Sequence, residues 1–204
     1  MQSSDFETYF KHFPYLNERF TGVFSIDNVP KKLNYRHFCI VNTDVAKENG
    51  SHWFTILRHN KLSYEIFDSL SINSEKENNL KHFLKFNSDF LEVNDSQFQL
   101  NDSISCGKFC IFYIIKRMYN LDLDYCDFLC ETFDSDLSKN ETLVNNFCSD
   151  ILDDRYWFII MEEIDSSAIV QKLTIEPDTL RLQVPFAMSL SGPSQSIQYN
   201  IFSH

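Results

Sequence analysis

The chain of 204 residues has no run approaching the ~18 consecutive apolar residues of a membrane span, so a membrane-crossing helix is not expected. Glycine (4) and proline (5) are scarce, which excludes collagen-like and low-complexity designs. Positive charge is short as well: 18 Lys and Arg stand against 29 Asp and Glu, a formal net of −11. The densest basic runs are the pairs Lys31-Lys32 and Lys116-Arg117, too small to hold a phosphate backbone, so nucleic-acid binding is a poor expectation. The opening residues show no basic stretch followed by an apolar one, which predicts a protein that is not secreted. Zinc knuckles are missing too. The six cysteines (39, 106, 110, 126, 130, 148) include pairs spaced i, i+4 but no C-x2-C, and no histidine cluster accompanies them. No metal and no cofactor are therefore expected, and most cysteines read as reduced core residues.

What is present is a core. Hydrophobic residues make up 43% of the chain and aromatics 15%, with 20 Phe, enough to exclude disorder along its whole length. The length suits one domain with a tail. The domain is expected over residues 1–165. Over 166–204 core residues thin out and Ser, Gly and Pro collect, which reads as a tail.

Apolar spacing predicts an opening helix at 5–13, a buried strand at 37–42, and strands at 52–58 and 62–68 joined by His59-Asn60-Lys61. A polar helix is expected at 75–86 and a strand at 90–100. Further helices are expected at 106–119, 124–133 and 139–152, and a strand at 155–161. If Arg58 pairs with Leu62 across the hairpin, Phe54 faces Ile66, Ile56 faces Tyr64, and His52 faces Asp68. Opposed residues have Cβ atoms ~4.5–5.5 Å apart on one face, so this register sets an imidazole beside a carboxylate. A slip of one residue would separate them.

Cys106 opens the most apolar predicted helix. The partial positive charge and unpaired N–H groups of a helix N-terminus favour thiolate over thiol. Gly107 removes bulk next to it, and Asp102, Ser103 or Ser105 can cap the helix. A thiolate needs a proton partner, which His52 supplies, and His52 needs an orienting acceptor, which Asp68 supplies. The Cys106 N–H and the side-chain amide of Gln99 would suit a developing oxyanion. Each feature alone has an ordinary structural explanation. Their convergence through one hairpin does not.

These residues resemble the adenovirus-type (adenain-like) cysteine proteases, within the wider group that includes the ubiquitin-like-protein proteases. The resemblance rests on Ile40-Val41-Asn42-Thr43 followed by Asn49-Gly50-Ser51-His52-Trp53, on Phe67-Asp68-Ser69, and on Gln99 seven residues ahead of Cys106-Gly107-Lys108-Phe109-Cys110. It covers roughly residues 9–152. It implies an α+β, papain-like fold in which a small mixed sheet packs against helices and the nucleophile starts a buried central helix. It implies Cys106 as nucleophile, His52 as general base and acid, Asp68 as orienter and Gln99 as oxyanion donor, with Gln97 as the fallback for Gln99. The implied activity is a cysteine endopeptidase maturing capsid or core precursors at Gly-containing sites, for a virus or a virus-like transposon of the Maverick/Polinton type. That activity would sit in a host nucleus or cytoplasm, or inside virus-like particles. Alternatives are an isopeptidase acting on ubiquitin-like or SUMO-like proteins, and an inactive protease fold serving as an interaction domain.

Two departures stand out. The adenovirus enzyme is activated by DNA and by a peptide disulfide-bonded to a cysteine upstream of the nucleophile. Here no cysteine lies between Cys39 and Cys106, and residues 1–160 hold 16 basic and 24 acidic groups. A DNA cofactor is not expected, and any activating peptide or protein is unknown. In the tail, residues 184–194 resemble the opening of a phosphate-binding loop of viral packaging ATPases. Ile197 and Gln198 stand where Gly and Lys are needed, so no nucleotide binding is expected. The tail reads equally as disordered or as the remnant of a neighbouring ATPase frame.

Overall fold

The computed structural model describes residues 1–47, 52–72 and 90–152. The expected helix at 75–86, the strand at 155–161 and the tail lie outside the described residues. Contacts group the chain into two units, Met1–Met161 and Glu162–His204, and every described residue belongs to the first.

Five strands form one mixed sheet in chain order: β1 (Phe20–Ser25), β2 (Phe38–Asn42), β3 (Trp53–Leu57), β4 (Ser63–Phe67) and β5 (Phe90–Val93). β1 runs parallel to β2 and β5 parallel to β4, while β3 runs antiparallel to both of its neighbours, β2 and β4. Helices α1 (Ser3–Lys11) and α2 (Pro14–Arg19) precede the sheet; α3 (Cys106–Tyr119), α4 (Tyr125–Thr132) and α5 (Leu137–Leu152) follow it. The fold is mixed α+β.

The apolar run of β2 follows from burial on both faces. Phe38 and Ile40 join the larger core with Phe6, Phe10, Phe67, Phe109 and Tyr113, whereas Cys39 and Val41 join a second core with Phe54, Ile56 and Ile66. α3 is apolar nearly all round because α1, β3 and α5 all pack against it. Gly22, at φ 135°, sits where the β1–β2 register shifts, a conformation that L side chains rarely adopt. Among the described residues no helix is long and apolar enough to cross a membrane.

Two expectations need correction. The β3–β4 register is displaced by two residues: Ile56 faces Ile66, not Tyr64. Asn60 is the cause. Its side-chain oxygen accepts the Leu62 and Ser63 N–H groups at 2.7 and 2.8 Å, closing a wider loop than three residues. Arg58, assigned to the hairpin by the sequence, instead pairs its backbone with His37 and Arg36 beside β2. The expected strand at 90–100 ends at Val93. Beyond it Asn94 turns its side chain onto the backbone of Asp68, and the chain continues as a loop to α3.

Candidate active site

Displacement by two keeps the parity of side chains, so His52 and Asp68 still meet. His52 Nε2 lies 2.7 Å from Asp68 Oδ1, with only 12% and 4% of the side chains exposed. With Nε2 turned to Asp68, Nδ1 is the nitrogen left for a second partner. The Cys106 thiol is the group whose electrostatics couple to this ring, each shifting the other. Cys106 is 8% exposed and begins α3.

The two groups shift in opposite directions. Burial works against a charged His52, but the Asp68 and Cys106 hydrogen bonds and charges outweigh it and push the imidazole up to about 9. Burial also opposes a charged Cys106. There the His52 hydrogen bond and charge prevail, helped by the Trp53 and Gly107 N–H groups, and hold the thiol below its ordinary value. Each charge thus stabilises the other, which shifts the balance toward a thiolate–imidazolium pair. Cys39, Cys110 and Cys148 are pushed up, by burial first, and stay thiols.

Asp68 is fixed by its neighbours. Asn94, buried, accepts the Asp68 N–H at 2.9 Å and donates to the Asp68 carbonyl at 2.7 Å. The next residue, Ser69, is wholly buried; its carbonyl accepts the Phe98 and Gln99 N–H groups. The Ser69 hydroxyl donates to Gln99 Oε1 at 2.6 Å, and Gln99 Nε2 donates to the Ser103 carbonyl at 2.8 Å. Gln99 therefore ties the segment carrying the carboxylate to the loop carrying the thiol. Gln97 is spent otherwise: its amide donates to the Gln99 carbonyl and to Asn101, and both glutamines lie in the loop beyond β5.

The capping expectation also changes. Ser105 occupies the N-cap position of α3, yet no side chain caps the helix. The Ser105 hydroxyl donates to Glu141 Oε2 at 2.6 Å, and Glu141 Oε1 accepts the Leu100 N–H, so α5 anchors the loop. First-turn N–H groups of α3 stay available to an incoming anion. The space above Gly107 is not open: a Cβ there would lie 2.5 Å from the Met1 sulfur. A groove of about 490 Å³, lined partly by Met1, Ser103, Ile104, Ser105 and Lys108, runs beside this helix start, and Ile104 is 94% exposed.

No protein-family profile and no curated protein matches the chain. Among solved structures, the ASFV pS273R protease is similar with a TM-score of 0.31 and 22% identity, over 50% of this chain and 40% of that one. The central domain of the uncharacterized Lpg1148 protein from Legionella pneumophila is similar with a TM-score of 0.35 and 13% identity, over 65% of this chain and 88% of that one. The chain thus spans less than half the length of the viral protease it matches.

Sequence reasoning missed Ser69, Asn94 and Glu141. Asn94 carried a weak signal, since Asn next to Asp favours turns over strands. Nothing local distinguishes Glu141, whose partners lie about 40 residues away.

Proposed function

We propose that the chain is a cysteine endopeptidase. The Cys106 thiolate attacks a scissile carbonyl, and the Cys106 N–H and the second amide hydrogen of Gln99 receive the oxyanion. The His52 imidazolium gives its proton to the leaving amine, then takes one from the water that releases the acyl-enzyme. Asp68 holds the ring. The observation that carries this reading is the 2.7 Å His52–Asp68 bond on a buried ring whose electrostatics couple to the thiol opening α3. The motif resemblance supports the finer reading, a maturation protease that cuts capsid or core precursors at Gly-containing sites.

The test is a peptide-derived electrophile, with the modified residue located by mass spectrometry. Labelling is expected at Cys106 in the wild type and lost in Cys106→Ala, with the exposed Cys126 and Cys130 reporting indiscriminate reaction. Equal labelling of both proteins at other sites would remove the nucleophile. Digestion of a Gly-containing peptide library, beside a conjugate ending in Gly-Gly of a ubiquitin-like protein, separates the maturation reading from the isopeptidase one.

A further inference from the structure

A second cluster of reactive groups lies at the loop end of the β3–β4 hairpin. In the β4–β5 register Glu65 stands beside Glu92 and Ser63 beside Phe90, so both carboxylates and the Ser63 hydroxyl share one face. Like charges on adjacent strand positions repel. Arg117 answers one of them: its Nε and Nη2 bond Glu65 at 2.9 and 2.7 Å, and Tyr113 adds a hydroxyl bond at 2.9 Å. Its Nη1 goes to the carbonyls of Asn120 and Leu123. Among the described residues no hydrogen bond from Arg117 reaches Glu92.

The hairpin loop adds His59, whose Nδ1 lies 2.5 Å from Glu65 Oε1. One ligand atom from each of His59, Glu65 and Glu92 falls within 4.8 Å of the other two. A cavity of about 340 Å³ opens here, lined by His59, Ser63, Glu92 and Asp124 among others. Ser63 is 5% exposed, and its hydroxyl finds no hydrogen-bond partner among the described residues. A buried, unpaired hydroxyl on a residue lining this cavity requires an explanation.

We propose that His59, Glu65 and Glu92 bind a divalent transition-metal ion of the zinc class, with Ser63 and Asp124 positioned for its bound water. One imidazole and two carboxylates suit such an ion better than magnesium or calcium, which favour all-oxygen shells. Charge balances: Glu65, Glu92 and Asp124 outweigh Arg117 by two. Arg117 and Tyr113 serve as outer partners that hold Glu65 ionised and oriented. Binding replaces the His59–Glu65 hydrogen bond with two bonds to the ion and ties the edge strand β5 to β4 and to the hairpin loop. This site is independent of the proposed peptidase chemistry.

The test uses the full chain carrying Cys106→Ala, which removes the most ionised thiol. Cobalt(II) titration is expected to give one ion per chain, with weak visible bands and no sulfur-to-metal charge-transfer band. Zinc should raise the thermal midpoint as its concentration rises. Affinity should fall at least ~10-fold in both Glu92→Gln and His59→Ala, with circular dichroism unchanged. Absence of binding, a thiolate charge-transfer band, or unchanged affinity in both variants would overturn the site. If one variant fails to fold, the other decides.

Discussion

At Cys106 and His52 each charge is bought with the other, because burial disfavours both. The reaction therefore depends on pH at two limbs. Rate should rise as pH climbs through the lowered Cys106 value and fall as it passes about 9, where His52 loses its proton. Asp68→Asn keeps an acceptor for Nε2 but removes the charge that raises the ring. Its kcat/KM profile should keep a bell shape with the alkaline limb moved to lower pH. An unmoved limb would mean that the carboxylate does not govern the imidazole. The sulfur, ring and carboxylate were legible as candidates because residue chemistry and strand parity are local. The supporting bonds of Asn94 and Ser69 were not, since each closes over 26 to 30 residues.

Among the elements, the hairpin and the loop from β5 to α3 set the geometry. Strand parity predicted that His52 and Asp68 share a side, and it survived a register displaced by two. The exact partners were illegible because Asn60 competes for the loop backbone with a side-chain acceptor. Likewise β5 stops where Asn94 exchanges ladder bonds for a clamp on Asp68. Asn94→Ala leaves a buried N–H and carbonyl of Asp68 without partners. It should destabilise the protein by about 1–3 kcal/mol in urea unfolding and lower peptidase turnover through a misplaced carboxylate. Unchanged stability would show that water replaces the clamp at no cost.

Across the whole molecule, α3 is joined to the sheet by the Glu65–Arg117–Tyr113 network, with Glu65 and Arg117 fully buried. Burial opposes a charged Glu65, yet the Arg117 and His59 bonds hold its carboxyl below the ordinary range. The sign follows from linkage. A depressed carboxyl contributes stability above its unfolded value and loses it as pH falls through the folded one, so the thermal midpoint should drop on acidification. Arg117→Met strands a buried anion and should cost about 3–5 kcal/mol. Glu65→Leu combined with Arg117→Met should recover most of that loss in the same denaturation assay. A double variant as unstable as the single one would place the cost in packing rather than charge.

Hydrophobic periodicity, the helix opened by Cys106 and the parity of a hairpin are written in residues close along the chain, and the sequence alone determined them. The displaced register, the early end of β5, the Glu141 anchor on the loop and the convergence of His59, Glu65 and Glu92 were decided by tertiary structure. Each depends on a side chain choosing between a local backbone partner and a distant one. That choice is settled by which buried polar groups the assembled fold leaves to be satisfied.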